Sequence, residues 1–223
     1  MYKSLLVVHI VAGNLALLAA GGAMVAAKGG RAHAWIGRVF TITMTVIFVT
    51  AVPMTFIRPN LFLFLVAVFN GYLALTGWMR TQNRRGMPTP IEWIAAGTMA
   101  VTALGMAGRG IVMLTAGNSM GTALLVFAGI GGSLAVSDLR GLRAHRFRGK
   151  DRIASHLTRM LGGTIGALTA FLVVNVRIEP AFVTWILPSI VMTPLIVYWA
   201  RRVRGPAGPP TGAPALAETT AGS

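Results

Sequence analysis

Residues 61–79 read LFLFLVAVFNGYLALTGWM, nineteen positions without a single charge and with leucine, phenylalanine and valine spread round every face of a helical turn. A helix packed on the surface of a soluble protein keeps a polar face, because its outer side meets water. This stretch keeps none. Roughly 20 mostly apolar residues suffice to cross the hydrocarbon core of a bilayer, so the segment reads as a membrane span.

Similar blocks flank it on both sides. The spans fall at 4–27, 37–57, 61–79, 91–108, 118–138, 157–176 and 181–200. In the fourth, Arg109 interrupts an apolar run that resumes at Ile111. Composition agrees: the 223 residues are 55% hydrophobic and 11% charged, whereas a soluble domain carries about 25% charged residues. The expected fold is all-α, a polytopic transmembrane helix bundle of about seven spans, and the soluble reading is excluded. Residues 1–204 form that domain, and residues 205–223, rich in Gly, Pro, Ala and Thr, read as a disordered cytoplasmic tail.

Orientation follows from the cations. Lys28, Arg31 and Arg38, then Arg80, Arg84 and Arg85, then Arg140, Arg143, Arg146, Arg148, Lys150, Arg152 and Arg159, and finally Arg201, Arg202 and Arg204 fall on one side. Only Lys3, Arg58, Arg109 and Arg177 fall on the other. Cytoplasmic connections carry the excess of Lys and Arg, which gives an N-out, C-in protein of a bacterial cytoplasmic (inner) membrane. Trp35, Trp78, Trp93 and Trp199 gather at the same cytoplasmic interface, where amphipathic rings prefer to sit. The net charge of +15 is therefore placed by topology, and no nucleic-acid partner is expected. The partner is the lipid bilayer, with anionic headgroups attracted to the basic loop 140–159.

Local signals support the spans. Thr89-Pro90-Ile91-Glu92 has capping-box spacing with proline at the first helical position, so Glu92 is assigned to the backbone. The first segment is too long for a signal peptide's apolar region and reads as a retained span. Gly117-x-x-x-Gly121 and Gly162-x-x-x-Gly166 offer small-residue faces for helix contact. Pro53, Pro188 and Pro194 lie within spans, and no internal repeat of the transporter kind is evident.

Chemistry is harder to find. With no cysteine, disulfides and thiolate sites are excluded. Of the acids Glu92, Asp138, Asp151, Glu179 and Glu218, none falls at mid-depth of a span, which disfavours a proton-coupled pump. The histidines carry more. His9 and His33 are each followed by glycine at i+4, as His9-Ile-Val-Ala-Gly13 and His33-Ala-Trp-Ile-Gly37, so each imidazole projects beside a bare patch of its own helix. His156 has Gly162 and Gly163 about two turns on. His33 and His156 share one depth near the cytoplasmic interface and are candidate axial ligands of a haem b, with Arg31, Arg38, Arg152 and Arg159 near for its propionates. His9 lies toward the opposite face and would support an outer site, with Met54 as the candidate second ligand. The bland reading of His33 and His156 is headgroup contact or helix-end hydrogen bonding, and that of His145 is a solvated loop residue. Two other classes compete. One is a cofactor-free small-molecule transporter or accessory membrane subunit with a polar seam of His9, Asn14, Asn70 and Asn175. The other is a membrane metallohydrolase with zinc on His33, His145 and His156 beside Asp138 or Asp151.

The motifs His9-Ile-Val-Ala-Gly13-Asn-Leu-Ala-Leu17, His33-Ala-Trp-Ile-Gly37-Arg38 and His156-Leu-Thr-Arg-Met160-Leu-Gly162, continued by Thr169-Ala-Phe-Leu-Val-Val-Asn175, resemble a family of bacterial predicted membrane proteins with a domain of unknown function. The resemblance covers most of residues 5–178 and implies a polytopic inner-membrane protein without an assigned reaction. This chain has Arg159 where many relatives have an aromatic residue. The layout of helices and histidines is also distantly similar to the b-type cytochromes of membrane electron transfer.

Overall fold

The computed structural model describes residues 1–205, and most of the segment expected as a tail, 206–223, lies outside the described residues. The described chain is all helix and connection: α1 (Tyr2–Val25), α2 (Arg31–Ile57), α3 (Leu61–Gln82), α4 (Pro90–Thr115), α5 (Gly121–Arg143), α6 (Gly149–Asn175) and α7 (Phe182–Arg204). All seven are long and apolar enough to cross a membrane. Short connections make consecutive helices antiparallel. The arginine-rich connections therefore share one end of the bundle, called the basic end below.

The distribution of side chains is that of a protein solvated by lipid. Leu104 is 74% exposed and Val101 71%, while Arg80 and Asp138 are each 1% exposed. Water would reverse that order; hydrocarbon permits it. The protein is accordingly a multi-pass integral membrane protein.

Packing begins with small side chains. Ala12, Ala16, Ala19 and Ala20 are the buried residues of α1, a stripe at helical spacing that lets α2 approach closely. Ala16, Ala19 and Ala20 cluster with Phe40 and Met44 of α2 and Ala74 of α3. A second cluster joins α3, α4 and α5 through Phe69, Leu73, Met99, Met106, Leu124 and Phe127. Helix α3 is central and touches α2, α4, α5 and α6, while α7 lies against α6 and α5.

Of the two glycine pairs, Gly162 and Gly166 do form a contact face on α3. A methyl group at Gly162 would press on Leu73, and one at Gly166 would collide with the amide of Asn70. Gly117 does not belong to a helix face. It follows the α4 C-cap with φ +75°, and the bonds Gly117 N–H to Leu114 O (3.0 Å) and Asn118 N–H to Met113 O (2.8 Å) close a Schellman motif. The close approach of α4 to α5 belongs instead to Gly110 and Gly121, whose added side chains would each strike the other's carbonyl oxygen.

Three helices run further than their hydropathy suggests. Helices α2 and α6 begin at Arg31 and Gly149, well before the apolar runs at 37 and 157, because arginine, lysine and alanine propagate a helix through the interface. Helix α4 passes through Arg109 without a break to Thr115. Arg109 is exposed less than two turns from that end, so its long stem can carry the guanidinium to the interface.

Candidate functional site

Each of the three histidines on helices, His9, His33 and His156, has one ring nitrogen tied to a neighbouring helix. His156 on α6 places Nδ1 2.9 Å from the carbonyl oxygen of Gly77 on α3. His33, in the first turn of α2, places Nδ1 3.1 Å from the carbonyl oxygen of Ala23 on α1. A carbonyl oxygen only accepts, so Nδ1 carries the proton in both rings and Nε2 of the neutral imidazole keeps its lone pair. About one turn beyond the two rings, Ile36 and Met160 pack against the same buried cluster of Ala16, Phe40, Met44 and Ala74. His9 follows the same rule. The Thr50 hydroxyl donates to the carbonyls of Val46 (2.7 Å) or Ile47 (3.0 Å) and so accepts from His9 Nδ1 at 3.0 Å, which again leaves Nε2 free.

The surroundings of these rings differ from the expectation in part. At Gly13 and Gly37 an added methyl group would meet open space, so the bare patches beside His9 and His33 are real. Gly162 and Gly163 are not clearance: they receive Leu73, Phe40 and Met44 in ordinary helix packing. Two of the four arginines assigned to propionates are engaged elsewhere. Arg152 donates to the carbonyl oxygen of Arg80 at 2.7 Å, and Arg159 is buried against Asp138 at 2.6 Å. Arg31 and Arg38 are exposed at the start of α2, without a carboxylate partner among the described residues.

The acids hold a cluster that the depth reading missed. Arg80, counted above as a loop cation, is buried inside the bundle. Its guanidinium pairs with Glu92 of α4 through Nη1 and reaches Asp138 of α5 at 3.4 Å, and its Nε donates to Ser155 of α6 at 3.3 Å. The ring of Phe147 lies 3.5 Å below its Cζ. Asp138 also accepts from Arg159 of α6 on Oδ1 and from the Tyr72 hydroxyl on Oδ2, each at 2.6 Å. Two guanidiniums and two carboxylates balance, which is the condition for holding charge away from water. Glu92 does serve the α4 backbone, accepting from Thr89 N–H at 2.9 Å in a complete capping box, but its second oxygen belongs to Arg80. The cluster fastens α3, α4, α5 and α6 together beside the histidine pair: Ser155 adjoins His156, and Arg80 lies one turn beyond Gly77. Within it, Nε and Nη1 of Arg159 have no partner.

The zinc set does not assemble. His145 sits exposed in the α5–α6 connection at φ +49°, and among the described residues no three His, Cys, Asp or Glu side chains gather to hold a metal ion. The polar seam is also incomplete. Asn14 and Asn175 are exposed and donate to their own helices, at Ile10 O and Phe171 O, whereas His9, Met54 and Asn70 line one large cavity.

No protein-family model, curated protein or solved structure matches this chain.

Proposed function

We propose that this multi-pass membrane protein is a redox protein that binds haem b near the basic end of the bundle, where His33 of α2 and His156 of α6 are the residues that would hold it. One observation carries the reading. Both imidazoles donate Nδ1–H to a main-chain carbonyl of an adjacent helix, and each lies about one turn before a residue, Ile36 or Met160, that packs against the same buried cluster. Metal-bound histidine commonly makes that second hydrogen bond, which fixes the tautomer and raises the basicity of the ligating nitrogen. The residues present fit the group: two orienting carbonyls, open space beside His33 at Gly37, and two exposed arginines, Arg31 and Arg38, for propionate carboxylates. When bound, haem supplies one-electron transfer at its iron.

The rest of the chain positions the pair. The carbonyl of Ala23 sets the ring plane of His33, and that of Gly77 sets the ring plane of His156. The ion cluster keeps α6 seated on α3, so the depth of His156 is held by Arg80, Asp138 and Arg159 rather than by lipid. In a bacterial cytoplasmic membrane with the N-terminus outside, this site faces the cytoplasm.

A cofactor-free transporter or accessory subunit is the second reading, favoured by the cavity that His9 and Asn70 line. An absorbance spectrum of the purified protein, reduced with dithionite minus oxidised in air, separates the two. A Soret shift with a sharp α-band supports haem; a flat spectrum from well-folded protein expressed with haem precursor overturns it and leaves the cavity as the functional site.

A further inference from the structure

From Thr158, two residues past His156, to the end of the bundle that holds Tyr2 and Arg58, the helices line a cavity of about 550 Å³ with walls from every helix except α4. Pockets of roughly 300–1,000 Å³ bury most of a small organic ligand. The walls are largely apolar, with Met44, Phe48, Leu63, Phe127, Ile165 and Ile196 among them. No carboxylate lines the cavity, and its titratable side chains are Tyr2, His9 and Arg58. Arg58 follows the last residue of α2, and its guanidinium rests 4.2 Å from the centre of the Tyr2 ring. Among the described residues it has no carboxylate partner. His9 lies seven residues along α1 from Tyr2, roughly 10 Å deeper at the helical rise.

The arrangement is an apolar throat behind a cationic lip. We infer that the cavity holds a single-chain carboxylate amphiphile, a free long-chain fatty acid, with its head on Arg58 and its tail between the helices. A guanidinium presents a planar fork that matches a carboxylate, and stacking on Tyr2 holds that fork at the mouth. A cationic amphiphile would find no acid to receive its head. A diacyl lipid is the competing occupant, and displacement by phosphatidylglycerol distinguishes it from a free acid. This inference is independent of the haem reading, since neither His33 nor His156 lines the cavity.

The test is binding of cis-parinaric acid, a fluorescent long-chain acid, to the full-length protein in maltoside micelles. A saturable fluorescence rise, reversed by palmitate, is expected. Arg58→Gln should weaken binding at least tenfold. Because Arg58 is exposed, this variant should keep the wild-type gel-filtration profile. Ala67→Phe, which fills the cavity from α3, should abolish binding. The inference is overturned if binding is not saturable, if methyl parinarate binds as tightly as the acid, or if Arg58→Gln leaves the affinity unchanged. Displacement by phosphatidylglycerol as effective as that by palmitate would also overturn it, making the occupant a chain of a bilayer lipid.

Discussion

The Nδ1 nitrogen of His156 lies 2.9 Å from the main-chain oxygen of Gly77, one turn before the buried Arg80 on the same helix. A histidine in this position can be a clasp between α3 and α6, a ligand held ready by that clasp, or both. The ion cluster beside it decides how firmly the clasp is set, and its energetics are the first thing to measure.

Asp138 carries three partners, Arg80, Arg159 and Tyr72. Replacing it with asparagine leaves a surplus guanidinium charge out of water, and removing one side of a buried pair costs about 3–5 kcal/mol. Asp138→Asn should therefore lower the thermal midpoint in detergent far more than Tyr72→Phe, which gives up one charge-assisted hydrogen bond worth about 1.5–3 kcal/mol. Equal midpoints for the two variants would mean that the charges do not hold the helices together.

Glu92 offers a dissection of the same kind. Thr89→Ala removes the α4 cap alone, at about 1 kcal/mol. Glu92→Gln keeps an oxygen for the Thr89 backbone but leaves Arg80 without its closest countercharge. Thermal denaturation should rank Glu92→Gln as the more damaging change. The reverse order would assign Glu92 to the helix end only.

Gly166 and Gly37 test the packing. The amide of Asn70 occupies the place of a side chain at 166, so Gly166→Ala must push α3 from α6 and should cost about 1–3 kcal/mol. At Gly37 the space is open, and alanine there should stabilise the helix by up to about 1 kcal/mol. Parallel midpoint measurements check the opposite signs.

Topology can be read directly because the chain has no cysteine. Ser119→Cys in the α4–α5 connection should react with a membrane-impermeant maleimide in intact cells, and Arg84→Cys in the α3–α4 connection only after permeabilisation. The opposite pattern would invert the N-out, C-in assignment.

The number of helices and the fold class were legible in the sequence because lipid imposes apolar composition on whole segments. Helix ends were legible where a cap marks them, as at Thr89, and where helix and apolar run begin or end together, as at Ile57, Asn175 and Phe182. Hydropathy reports where hydrocarbon stops, so the starts of α2 and α6, made of helix-forming residues in the interface, lay beyond its reach. The ion cluster was missed for a related reason. Arg80 and Asp138 sit near helix ends, where a charge is ordinarily a solvated one, and only the packing of α3 through α6 turns them inward. Arg159 carried the stronger signal, since it falls ten residues into α6 and yet was counted with the loop cations. The carbonyls that orient His33 and His156 come from other helices and were not readable.

The central claim is the joint ligation of haem by His33 and His156, and its most direct measurement is the reduced-minus-oxidised spectrum across three variants. Wild type and His9→Ala should show the same Soret shift and α-band, because His9 lines the separate cavity. His33→Ala and His156→Ala should each lose both features while remaining monodisperse. A signal that survives both changes, or one that vanishes with His9→Ala alone, would contradict the assignment.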